Sequence, residues 1–113
     1  MPSPRFNEIL IGATRNNLML LRKKNKELTE IKRYSNINAE KGAFSRDGKY
    51  FVAGNGVSSS IQIIDLFSHT IYSRNTGLSG ISAVKYSPSG LHALCVSSDN
   101  RNITIFESVL WEK

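Results

Sequence analysis

An all-β fold of repeated, antiparallel four-stranded units is what this sequence predicts, and three observations carry the prediction. The first is internal repetition. Phe44-Ser45-Arg46-Asp47-Gly48 returns as Tyr86-Ser87-Pro88-Ser89-Gly90, and Ile61-Gln62-Ile63-Ile64-Asp65 returns as Ile103-Thr104-Ile105-Phe106-Glu107, both after 42 residues. The second is texture: short β-branched and aromatic runs alternate with clusters of Gly, Ser, Asn and Asp, which is how strands and tight turns are written. The third is length. A period in this range is the mark of a β-propeller blade, at least about four blades are needed around a channel, and 113 residues have room for fewer than three. The expected architecture is therefore antiparallel four-stranded blades of a β-propeller, incomplete in this chain.

The elements follow from the N-terminus. Ile9-Leu10-Ile11-Gly12 falls 42 residues before Phe51-Val52-Ala53-Gly54, and Leu18-Met19-Leu20-Leu21 falls 43 before Ile61-Gln62-Ile63-Ile64, with Thr14 to Asn17 as a slightly shorter turn. This reads as a partial first blade over 1–36 that lacks its innermost strand and carries a basic turn. A helix is the rival over 18–34. Leu18, Leu21, Leu28 and Ile31 can share one helical face there, and the segment has good helix formers and neither Gly nor Pro.

A second blade is expected over 37–76. Its first strand lies near Ala39 to Ser45 and runs into Arg46-Asp47-Gly48, where Asp-Gly supplies the positive φ of a tight hairpin. Tyr50 to Gly54 forms the second strand, Gly56 to Ser60 the turn, Ile61 to Leu66 the third strand and Thr70 to Arg74 a weaker fourth. A third blade over 77–113 restarts the cycle at Ile81 to Tyr86 and turns at Ser87-Pro88-Ser89-Gly90. It continues as Leu91 to Val96, turns through Ser98 to Asn102 and returns as Ile103 to Phe106. Pro88 suits a turn, where no ladder donor is needed. Asp47, Gly48, Pro88 and Gly90 are thus the structural turn residues, and Val109-Leu110-Trp111-Glu112-Lys113 reads as an outermost strand with an open edge.

These residues resemble the WD-repeat propellers. The two Phe/Tyr-Ser-x-x-Gly turns, each followed by an apolar strand, a polar turn and an Ile-x-Ile strand ending in an acid, carry the resemblance, which covers about residues 37 to 108 well. Val52-Ala53-Gly54-Asn55 through Ile63-Ile64-Asp65 is also similar to the propeller repeats named for their Tyr-Val-Thr-Asn motif. The match is divergent. Ile64-Asp65 and Phe106-Glu107 stand where the family ends its third strand in Trp-Asp, with Leu21-Arg22 in the first blade. No His stands near Thr76-Gly77, where the family places Gly-His, and Ser58 occupies the place that Asp99 or Asn100 fills one repeat later. The family's hydrogen-bonded tetrad is therefore not expected, and apolar packing and ladder bonds are expected to hold the blades.

Composition narrows the function classes. With 40% apolar and 21% charged residues, the chain has the make-up of a folded domain, and no apolar run approaches the ~20 residues of a membrane span. A single cysteine, Cys95, and an N-terminus without a long apolar core point to an intracellular compartment, cytoplasmic or nuclear. Charge is uneven: residues 1–50 hold eleven Lys and Arg against five acids, and residues 51–113 hold four against four. The cluster Arg22, Lys23, Lys24 and Lys26, with Lys32 and Arg33 beyond it, is either a contact for an anionic partner or a solvated turn whose lysines guard a sheet edge.

No catalytic constellation stands out. His69 and His92 have no metal-ligand spacing with each other or with Cys95, and Gly54-Asn55-Gly56 lacks the third glycine and the helix of a phosphate loop. No catalytic residue, metal site or cofactor is predicted. The expected role is a non-enzymatic protein–protein interaction scaffold within a larger assembly, its partners being other proteins or further blades that complete the propeller, as the WD-repeat resemblance implies. The alternative is a nucleic-acid- or ribonucleoprotein-associated subunit, which would use the basic N-terminal part against RNA or an acidic surface.

Overall fold

The computed structural model describes residues 9–13, 17–24, 26–99 and 101–107, and among them it contains ten strands and no helix. Three antiparallel sheets follow one another along the chain. The first is β1 (Ile9–Ala13), β2 (Asn17–Lys24) and β3 (Glu27–Ser35); the second is β4 (Lys41–Phe44), β5 (Tyr50–Gly54), β6 (Ser60–Asp65) and β7 (Ile71–Asn75); the third is β8 (Ile81–Tyr86), β9 (His92–Ser97) and β10 (Ile103–Glu107). Each is a meander in which sequence neighbours are sheet neighbours. The expected terminal strand from Val109 onward, and all of the Thr14 to Asn17 turn except Asn17, lie outside the described residues.

The helical alternative over 18–34 gives way to a hairpin. Leu18 is fully buried, Leu21 is half-buried on the opposite face of β2, and Leu28 and Ile31 are exposed, so the four do not share one buried stripe. The ladder running from Asn17↔Ser35 to Lys24↔Glu27 slips once, between Leu20↔Lys32 and Leu21↔Glu30. Ile31 is the extra residue of that bulge, a feature that twists a strand and interrupts its pairing edge.

Repetition in the sequence becomes repetition in register. Val52 pairs with Ile63 and Leu94 with Ile105; Ala53 pairs with Gln62 and Cys95 with Thr104. In the first sheet Ile11↔Leu20 and Gly12↔Met19 occupy the same places, so Ile11 and Gly12 match Val52 and Ala53 and not, as the 42-residue offset suggests, Ala53 and Gly54: the first strand is displaced by one residue, while Leu20 keeps its expected match to Ile63. Because side chains alternate across a strand, each sheet has two faces. The second sheet packs one face on the first sheet and the other on the third.

Two apolar layers fill the spaces between sheets. Ile11, Leu18, Leu20 and Tyr34 of the first sheet, with Ile37 of the connecting loop, bury Phe51, Ala53 and Ile64 of the second. Tyr50, Val52, Ile61 and Ile63 on the other face of the second sheet meet Leu78, Ile81, Val84, Ala93 and Cys95. At ~25 cal/mol per Å² of apolar surface removed from water, such layers are the main favourable term in joining the sheets. Gly80 permits the second junction: a Cβ there would stand 2.1 Å from the Gly56 carbonyl oxygen.

Candidate interaction surfaces

The predicted turn residues sit at two matching turns. In β4–β5, Ser45 Oγ donates to Asp47 Oδ1 at 2.6 Å, the Lys49 amide donates to the same carboxylate oxygen at 3.0 Å, and the Tyr50 amide donates to Ser45 Oγ at 3.0 Å. Gly48 takes φ 74° and Gly90 φ 78°, the left-handed region that glycine enters without a Cβ penalty. In β8–β9, Ser87 and Ser89 stand where Ser45 and Asp47 stand, their hydroxyls 3.0 Å apart, and the His92 amide donates to Ser87 Oγ. A third version closes β9–β10: Ser97 Oγ and the Arg101 amide donate to Asp99 Oδ1, and the Asn102 amide donates to Ser97 Oγ. These donors, the Ser97 hydroxyl first, hold the Asp99 carboxyl below its ordinary range.

The first two turns border one cleft of about 400 Å³, lined by Ser45, Arg46, Asp47, Tyr50, Ser89 and Gly90. Arg46 crosses it to donate to the Pro88 carbonyl oxygen at 3.1 Å. Its one cationic side chain is thereby engaged in joining the sheets.

The basic cluster is carried by the β2–β3 hairpin. Arg22, Lys23, Lys26, Lys32 and Arg33 are exposed; Lys24 lies in β2 beside Lys23. Arg33 is tethered, 2.7 Å from Glu30 Oε1 and 3.4 Å from Met19 Sδ. An exposed pair of this kind contributes at most about 1 kcal/mol. The cluster is therefore a basic β-ribbon, with Leu28 and Ile31 exposed among its charges.

Sequence reasoning missed the contact that ties this hairpin to the second sheet. Tyr34 Oη lies 2.6 Å from His69 Nδ1, and His69 itself has φ 63° in the β6–β7 turn. Burial, and then the Asp65 carboxylate, push the Tyr34 phenol up to about 12. The buried Asp65 accepts from the Phe67 and Ser68 amides and so fixes the turn that presents His69. No local pattern announces a pair separated by 35 residues. Cys95 is fully buried and its thiol is pushed up to about 11, while His92 is half-buried at the start of β9. Among the described residues, no three His, Cys, Asp or Glu side chains converge in a geometry suited to a metal ion, and no helix is long and apolar enough to cross a membrane.

The third sheet carries a further surface that the sequence did not single out. Ile103 and Ile105 are 59% and 61% exposed, whereas Ile61 and Ile63, one repeat earlier, are 0% exposed under the third sheet. Half-buried Leu94 and Val96 pair with Ile105 and Ile103 and share their face. It is the face that, in the second sheet, bears the apolar layer against the next sheet.

No family model matches the sequence, and no curated protein matches it. Solved structures do. The RRP9 WD40 repeats superpose with a TM-score of 0.83 at 15% identity, over 98% of this chain and 35% of that one. Hydrazine synthase of Kuenenia stuttgartiensis gives 0.76 at 17% identity over 97% and 32%. The Cps50 (Swd1) β-propeller domain of Myceliophteria thermophila gives 0.70 at 21% identity over 89% and 35%. This chain spans about a third of each. Sequential sheets in repeated register, together with these likenesses, establish the fold as that of a β-propeller, of which this chain supplies a part.

Proposed function

We propose that the chain is a non-enzymatic protein–protein interaction module, a partial propeller that works as part of a larger assembly and uses the outer face of its third sheet as its main contact. The single observation behind this reading is the contrast between Ile103 and Ile105, both largely exposed, and Ile61 and Ile63, fully buried at the same places of the preceding repeat. A contiguous aliphatic sheet face of this kind marks a contact surface. The WD40 likenesses support the reading through the fold alone, since propellers host many functions. A reducing, intracellular setting suits the single buried Cys95.

A second reading rests on the basic ribbon. Arg22, Lys23, Lys26 and Lys32 expose their cationic groups on a hairpin, which suits a nucleic-acid backbone or another anionic surface in a salt-dependent contact. A photo-cross-linker placed at Ile105 in one sample and at Lys26 in another separates the two. Polypeptide adducts at Ile105 are expected under the first reading, and their absence would overturn it. RNA adducts at Lys26 would establish the second.

A further inference from the structure

We infer that the β2–β3 hairpin is a contact for duplex DNA, its distal end seated in a major groove with phosphates on both sides. The inference rests on the second reading above, the basic ribbon, and names the nucleic acid that the ribbon fits.

The register decides which cations share a face. Side chains alternate across a strand, so Leu18↔Tyr34, Leu20↔Lys32 and Arg22↔Thr29 belong to one face, and Met19↔Arg33, Leu21↔Glu30 and Lys23↔Leu28 to the other. The first face begins in the apolar layer against the second sheet, through Leu18, Leu20 and Tyr34. Arg22 and Lys32 make it cationic beyond that layer, and Lys23 and Arg33 are the cations of the reverse face. Lys26 stands in the turn between the strands.

The distal end stands clear of the body. The β1–β2 ladder ends at Ile9↔Arg22, whereas β2 and β3 continue through Lys23↔Leu28 and Lys24↔Glu27. Arg22, Lys23, Lys26, Glu27, Leu28 and Thr29 are all exposed, so this end is covered on neither face.

A ribbon with cations on both faces matches a partner that surrounds it with negative charge. A lipid surface or an acidic protein patch is met by one face at a time, which leaves the opposite cations in water. The major groove of B-form DNA is about 12 Å wide and admits a two-stranded ribbon. Sheets stack about 10 Å apart, so a ribbon with side chains on both faces fills that width and brings each face to one phosphate wall. The major groove of A-form RNA is too narrow for side chains to read. Single strands are held by stacking on aromatic side chains, and none occurs from Asn17 to Arg33. Glu30 already engages Arg33, so Arg22, Lys23, Lys26 and Lys32 are the expected phosphate contacts.

Fluorescence anisotropy of a short labelled B-form DNA duplex, titrated with the full chain at several salt concentrations, tests this. Each neutralised phosphate adds about 0.9 to the slope of log affinity against log salt, so four contacts should give a slope of about −3 to −4. Arg22→Ala and Lys23→Ala lie on opposite faces, and each should make the slope shallower by about 1. Circular dichroism checks that both fold, and Arg22→Gln and Lys23→Gln stand in for a variant that does not. A loss confined to one of the two faces would overturn the groove geometry, as would binding to phosphatidylserine vesicles but not to DNA. Single-stranded or duplex RNA bound as tightly as the DNA would overturn the assignment to B-form DNA and leave the basic-ribbon reading standing. No binding to DNA, RNA or vesicles at low salt would remove both.

Discussion

The Arg46 guanidinium donates to the carbonyl oxygen of Pro88, the residue one full repeat after Arg46 itself. At the opposite end of the same junction Ser98 Oγ donates to the Gly56 carbonyl oxygen at 3.2 Å, and these two residues are also one repeat apart. Neighbouring sheets are thus joined at both ends by residues that occupy the same place in consecutive repeats. Gly90 lies in this contact, since a Cβ there would stand 2.9 Å from Arg46 Cβ.

Gly48→Val and Gly90→Val should each destabilise the chain by about 1–3 kcal/mol, because a branched residue is forced to positive φ. Gly90→Val should be the worse, as it also presses on Arg46. Urea denaturation gives the order. Equal, wild-type midpoints for both would contradict the turn assignment.

Gly80 and Gly77 make a paired test of crowding against backbone conformation. Gly77 has φ 74° with open space around it, whereas Gly80 meets the backbone of Gly56. Gly77→Ala should cost about 1 kcal/mol for the left-handed conformation. Gly80→Ala should reach the upper end of the ~1–3 kcal/mol typical of overpacking, because the atom it meets belongs to the backbone and the sheets must part. Thermal unfolding of the two variants checks the ranking.

The burial of Tyr34 beside the Asp65 carboxylate predicts an alkaline limit. The folded phenol titrates at about 12, above the ordinary value of about 10. Folding therefore favours the neutral phenol. Its contribution is complete below the ordinary value and is lost as pH rises from there toward about 12. Tyr34→Phe should cost about 0.5–1.5 kcal/mol at neutral pH and should remove this part of the decline. Unfolding midpoints of the two proteins that converge at high pH would bear this out; parallel curves would refute it.

Cys95 should be nearly inert in the native protein. Its thiol is fully buried and raised to about 11, so little thiolate exists near neutral pH and that little is screened from reagents. Ellman's reagent at pH 8 should react slowly before urea is added and promptly after. Comparable rates would contradict the burial of β9.

Much of this fold was legible because it is periodic. Tyr50–Gly54 and Ile81–Tyr86 coincide with their expected strands, and the other strands of the last two sheets shift by a residue or two at their ends. The 42-residue offset carried that success, since it constrains every hairpin at once. The β2–β3 segment stayed ambiguous for a physical reason. Leu18, Leu21, Leu28 and Ile31 fit a helical face by spacing, and only the register with later repeats argued for strands. Tyr34–His69, the Ile31 bulge and the crowding at Gly80 were invisible, because each depends on where separate segments meet. The exposed face at Ile103 and Ile105 lay between the two cases. Its residues were read correctly as a strand, yet their exposure follows only from what the neighbouring sheet does and does not cover.

The repeat-to-repeat junctions make this molecule a linear stack in which each sheet leans only on its neighbours. The sticky surface is then a property of position in the stack rather than of particular isoleucines. Deleting the chain from Gly77 onward would hand the same role to Ile61 and Ile63, much as cutting a polymer creates a new growing end.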